Sequence, residues 1–215
     1  MKRALFMLLV LTAITSIFSG AASATTPNTN DITEHFSYIL KRNAIIVDYA
    51  VEEDKKLGTY PKGVGRFIAE KQQSNLGDWY YGNKLNGGTD GFIFNGQKLT
   101  KLELSNIHYG YIGRAAGFSK AQLLTLEGAN QISSLPKNWA EKYFNNLGLK
   151  GKYWISYGAN IWDNKTLSYP TLSSSFAVNS FNSFETPVTV PTLTNEEKQK
   201  IHQEMMRISQ KIKGI

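Results

Sequence analysis

Three observations place this sequence in the α+β class, as a single, mainly helical domain with a small antiparallel β-hairpin and a carboxy-terminal amphipathic helix. Apolar residues recur at spacings of three and four in several separate segments, the period of a helix with one buried face. Ser or Thr stands three residues before Glu or Gln at three places, which marks helix starts. The Asn-Gly pair Asn95-Gly96 separates two short apolar-bearing runs, as in a two-residue hairpin. The chain has 215 residues, 41% hydrophobic and 19% charged, enough to bury one sizeable core. It has no cysteine, which excludes disulfides, thiol nucleophiles, thiolate zinc sites and iron–sulfur clusters.

Along the chain, Lys2-Arg3, the apolar run Ala4–Phe18 and Ala22-Ser23-Ala24 have the three-part pattern of a signal peptide, with cleavage expected after Ala24. The run is short for a spanning helix, so no stable membrane anchor is expected and the product is read as secreted or periplasmic. Without Lys2 and Arg3 the 24 basic residues become 22 against 17 acidic, a net of +5. That mild basicity suits an anionic partner but does not require one. Residues 25–32 read as a polar leader, and 33–215 as the domain. Thr33 to Leu57 reads as a helix, with Phe36, Leu40, Val47 and Val51 on one face and Gly58 as its stop. Its Lys41-Arg42 and Glu52-Glu53-Asp54 clusters read as solvated faces. A short helix is expected around Val64–Lys71, then the hairpin over Phe92–Leu99.

Thr100 with Glu103 and Ser119 with Gln122 form two capping boxes, so helices are expected over 101–116 and 120–134 with a corner at Gly117-Phe118. The aromatic-rich stretch that follows reads as strand over Tyr153–Trp162, and as strand or ordered loop over Ser168–Ser183. Thr194 and Glu197 cap a final helix over 194–213, with Ile201, Met205, Ile208 and Ile212 on its apolar face.

Asn106 to Phe118 is the densest unusual stretch. Gly110, Gly113 and Gly117 inside or at the end of a helix cost roughly 1 kcal/mol each relative to alanine, so something must offset them. A glycine stripe admits another backbone or a ligand. Either it packs a helix closely, or it floors a groove between Glu103 and Arg114, about 16 Å apart along the axis. His108 shares a stripe with Leu104, Tyr111 and Ile112, which fits a hydrogen-bonded core histidine as well as a catalyst. Glu127, Asn130 and Gln131 form a polar cluster suited to acid–base work or simple solvation.

Residues Trp79 to Gln131 resemble the bacterial polymorphic toxin type 44 domain. The likeness lies in Phe94–Thr100, in Asn106–Phe118 and in Leu123-Leu124 with Gly128–Gln131. Members of that family are effector domains of secreted toxins and are predicted ribonucleases. The resemblance places the family core on Asn106, Tyr109, Gly110, Tyr111 and Gly113, and an upstream glycine–aspartate element on Gly87, Gly88 and Asp90. The chain departs from the family at Phe92, where a lysine is usual, and its acidic stretch before the last helix is reduced to Asp163-Asn164-Lys165.

A metal-independent ribonuclease needs a base near the 2′-hydroxyl, an acid at the leaving oxygen and a cation on the phosphate. The residues expected to supply these are His108, Arg114, Glu103 and Glu127, with Asn106, Tyr109, Tyr111, Gln131 and Asp90 contacting substrate. The partners in this reading are RNA as substrate and a cognate immunity protein. The export pattern supports a second reading, an envelope-acting toxin that hydrolyses peptidoglycan or its precursors, with a cell-envelope polymer as substrate. A third is a non-catalytic secreted binding protein. A helix-turn-helix reading fails because Lys120 is the only cation in 120–134. No metal and no cofactor is expected: the three histidines are scattered, and no phosphate-loop, dinucleotide, zincin or serine-hydrolase motif occurs.

Overall fold

A computed structural model describes residues 30–72, 77–79, 81, 91–133, 137–167, 190 and 192–215, with 137–146 described by backbone alone. The expected signal peptide, Gly87, Gly88, Asp90 and the 168–183 segment lie outside the described residues. The elements are α1 (Thr33–Leu57), α2 (Lys62–Lys71), β1 (Phe92–Phe94), β2 (Gln97–Leu99), α3 (Lys101–Ala115), α4 (Lys120–Leu124), α5 (Leu126–Ile132), α6 (Lys137–Asn164) and α7 (Asn195–Lys213). Among the described residues the fold is mainly helical with one two-stranded antiparallel sheet, as the sequence predicts.

The expected leader ends earlier than Ile32. The Ile32 amide donates to the Ile93 carbonyl and the Ile93 amide to Asn30, forming a parallel bridge to β1, and Ile32 is buried. Asp31 then accepts from the Thr33 amide at 2.9 Å and starts α1. That helix ends where Gly58 adopts φ 70°, a left-handed conformation that favours glycine. Phe36 and Leu40 are fully buried, and the Phe36 ring meets Phe94 and Tyr81 edge-on at 5.1 and 5.5 Å. The acidic cluster of α1 is not the solvated face expected of it. Glu53 and Asp54 are buried: Asp54 accepts from the Thr59 hydroxyl and the Val64 amide at the start of α2, and Glu53 pairs with Lys56 and His202.

The hairpin pairs Phe92 with Leu99 and Phe94 with Gln97, and Asn95 (φ 49°) and Gly96 (φ 72°) make the turn. Both capping boxes form as expected. At the end of α3, Gly117 (φ 87°) lets the Phe118 amide donate to the Gly113 carbonyl and its own amide to Arg114, which turns the chain into α4. The helix expected over 120–134 is two helices. Thr125 leaves helical geometry (φ −125°, ψ 149°) because its hydroxyl accepts from the Gly128 amide and so starts α5.

The expected strand at Tyr153–Trp162 is helix, the second half of α6 after a break at Gly148 (φ 58°). Helical spacing prevails over the strand propensity of its aromatics because Ile155, Ala159 and Gly158 form one face against α3. A Cβ at Gly110 would lie 2.0 Å from the Ile155 carbonyl oxygen, and one at Gly158 would lie 2.0 Å from that of Ile107. The two backbones therefore touch, and α6 fills the groove that Gly110 could otherwise floor. α7 closes the fold against α1 and α2 with Met205 and Ile208 fully buried.

Candidate functional site

Helix α3 carries most of the residues expected to act, and its neighbours divide them into separate environments. His108 faces inward and has no exposed surface. Its Nε2 lies 2.8 Å from the Asn43 amide group of α1 and its Nδ1 lies 3.1 Å from that of Gln72. The Asn43 amino group also donates to the Tyr81 hydroxyl at 3.3 Å, and the Gln72 atom facing Nδ1 is likewise its amide nitrogen, so one or other ring nitrogen accepts from an amide according to the tautomer. The Trp79 and Tyr81 rings meet the imidazole edge-on at 5.4 and 5.2 Å. Burial pushes its pKa down to about 3, so the ring is neutral at physiological pH. In this arrangement both nitrogens are occupied by protein partners.

Glu103 is also buried and also engaged. One oxygen accepts from the Thr100 amide and hydroxyl at 2.6 and 2.9 Å; the other accepts from Lys150 at 2.6 Å and from the Trp154 indole at 3.1 Å. Burial raises its pKa, but the hydrogen bonds from Lys150 and Thr100 outweigh that and hold it below the usual range. Asn106 is buried beside Gly151, whose missing Cβ would sit 3.4 Å from the Asn106 amide nitrogen. Tyr109 is half-buried against the core.

The solvent-facing chemistry gathers at the carboxyl ends of α3 and α6. Arg114 Nε donates to Asp163 at 2.9 Å while its terminal nitrogen donates to the Phe118 carbonyl; Lys120 reaches the other Asp163 oxygen at 3.3 Å and Asn160 at 2.6 Å. The Arg114, Asp163 and Lys120 side chains are 28%, 28% and 43% exposed. Burial alone would raise the Asp163 carboxyl; hydrogen bonds from Arg114 and Lys120 prevail and keep it ionised below its usual range. Beside them Tyr111 meets Trp162 edge-on at 5.2 Å, and Lys165 lies 3.7 Å over the Trp162 ring. Burial pushes the Tyr111 phenol up to about 12. Of the residues expected to act, this site contains Arg114 and Tyr111. Asp163, Lys120 and Trp162 are additions, and the sequence signal for Asp163 was its place in the family's shortened acidic stretch.

Glu127, Asn130 and Gln131 are exposed and line a shallow cavity of about 750 Å³ with Lys62 and Leu126, apart from both His108 and Arg114. Asp90 lies outside the described residues. Among the described residues no three His, Asp or Glu side chains come together as a metal site.

Residues 68–169 match the family model described as bacterial toxin 44. The match covers the hairpin and α3 through α6 and leaves α1 and α7 outside it. It supports a bacterial toxin. No curated protein and no solved structure matches the chain.

Proposed function

We propose that this chain is an exported bacterial toxin that cleaves RNA at the Arg114–Asp163–Lys120 site. The observation that carries the reading is the convergence of two cations on one ionised carboxylate at a solvent-facing helix end within the matched segment. Arg114 offers planar donors suited to a phosphate, and Lys120 a second charge for the oxygens of the pentacoordinate transition state. Asp163 then takes the proton of the attacking 2′-hydroxyl. A bond forms from the 2′-oxygen to phosphorus, the bond to the 5′-oxygen breaks, and that oxygen takes a proton from solvent. The substrate phosphate displaces Asp163 from part of its hold on Arg114, which frees the carboxylate to act as base. His108 is proposed here as the residue that fixes α1, α2 and α3 together rather than as the acid or base. The export pattern would carry the toxin out of its producer and away from the producer's own RNA.

The test is cleavage of single-stranded RNA by the purified chain and by Arg114→Ala and Asp163→Asn. Each variant is expected to slow cleavage by about a hundredfold or more. Thermal stability should hardly change, because exposed ion pairs contribute about 1 kcal/mol or less. Intact RNA with the wild-type chain, or full cleavage by both variants, sinks the proposal. The envelope reading separates by compartment: the chain directed to the cytoplasm of a test bacterium should kill with RNA loss, and killing confined to the periplasm with RNA intact would favour envelope hydrolysis.

A further inference from the structure

The molecule leaves large apolar side chains in the open at the amino-terminal ends of α3 and of the second half of α6. Leu149, the first residue after the Gly148 break, is 88% exposed, Leu102 is 67% exposed and Tyr153 is 56% exposed. Their helices run side by side in the same direction. Glu103 contacts Lys150 and Trp154 near their start, Gly110 contacts Ile155 midway, and Arg114 contacts Asp163 at their end. The Glu103–Lys150 pair brings the residue after Leu102 against the residue after Leu149, so both leucines stand at the same end of this helix pair. Leu149 and Tyr153 are one turn apart and share an outer face.

Exposed lysines flank these residues along the chain: Lys98 precedes α3, and Lys150 and Lys152 lie between Leu149 and Tyr153. Glu103, a carboxylate beside Lys150, is buried and already neutralised by it. Protruding leucine, an aromatic ring with a polar tip, and lysines with long apolar stems are the components of an interfacial membrane anchor. Leucine has no stacking face to offer a base, so a nucleic acid would leave the most exposed atoms of this patch in water. An acyl layer accepts a protruding side chain without a preformed pocket. We propose that this end of the domain docks on anionic phospholipid, with Leu102, Leu149 and Tyr153 entering the headgroup boundary and the lysines meeting lipid phosphates. The site is separate from the Arg114 cluster, which lies at the opposite end of the same two helices and stays open to solvent while the domain is docked.

The experiment is co-sedimentation of the full chain with vesicles of phosphatidylglycerol and phosphatidylcholine, and with vesicles of phosphatidylcholine alone. Ala4–Phe18 is itself apolar, so the comparison is between chains that share it: wild type and the double variant Leu102→Ser with Leu149→Ser. Both positions are exposed, and unchanged circular dichroism checks that the fold survives. The wild type should partition onto the anionic vesicles, the variant about tenfold less or lower. Raising salt to about 0.5 M should weaken the wild type further toward the variant. Equal partitioning of variant and wild type overturns the proposal, as does equal binding to anionic and neutral vesicles. Loss of RNA binding in the variant with vesicle binding intact also overturns it, and would assign the face to nucleic acid.

Discussion

His108 is the residue whose protonation the fold resists most. The unfolded chain takes up its proton around pH 6.5, whereas the folded chain, with the ring buried between Asn43 and Gln72, refuses it until about pH 3. The folded pKa lies below the unfolded one in a base, so the unfolded state binds more protons across that window and stability falls as pH falls. Each unit below 6.5 costs about 1.4 kcal/mol. Between pH 7 and pH 4.5 the wild type should lose roughly 2–3 kcal/mol more than His108→Gln, even though that variant starts less stable. Urea unfolding at the two pH values measures the difference, and parallel losses would refute the assignment. Asp54 acts in the opposite sense: burial raises its carboxyl, so its contribution improves as pH falls toward 3.8, equally in both chains. The apolar stripe on which His108 stands fits a core histidine as well as the catalyst expected of it. Its partners on α1 and at the end of α2 lie far away in the chain, where no local pattern could reveal them.

Among the elements, α3 and α6 share the most extensive contact, and it depends on two glycines. Adding a methyl group at Gly110 or Gly158 drives it into the facing helix's carbonyl, 2.0 Å away in each case, and backbone cannot turn aside as a side chain would. Gly110→Ala and Gly158→Ala should each destabilise by about 1–3 kcal/mol, after the roughly 1 kcal/mol gain in helix propensity is counted. Denaturant midpoints test this; a variant as stable as wild type would mean that the helices are not in backbone contact. The starts of α3, α4 and α7 were legible because a capping box is a local device, written within four residues. The division at Thr125 was not, since it depends on a hydroxyl choosing the Gly128 amide over continuation of the helix. The aromatics of 153–162 favour a strand by local propensity alone. Gly151, Gly158 and Ala159 carried the helical period, but their meaning needed the partner helix, and with it the meeting of Arg114 and Asp163.

At the scale of the whole molecule, α1 and α7 lie outside the matched segment and pack against each other. Their junction has polar as well as apolar contacts: the ion pair of Arg42 with Glu197, the hydrogen bond of His202 with Glu53, and, from α2, the ion pairs of Lys71 with Glu204 and Glu70 with Arg207. The apolar contacts should dominate. Met205→Ala removes a fully buried side chain and should cost about 2–5 kcal/mol, whereas Arg207→Ala, at a pair open to water, should cost about 1 kcal/mol or less. If Arg207→Ala proves the more damaging by thermal denaturation, the helix is held by charge instead. The bridge between residues 30–32 and Ile93 also has a mechanical consequence. It consists of two backbone hydrogen bonds lying directly before α1. Tension applied at the amino end reaches those bonds first and passes across them into β1. A tether there would pull on the hairpin without first unwinding the long helix that separates the two in sequence.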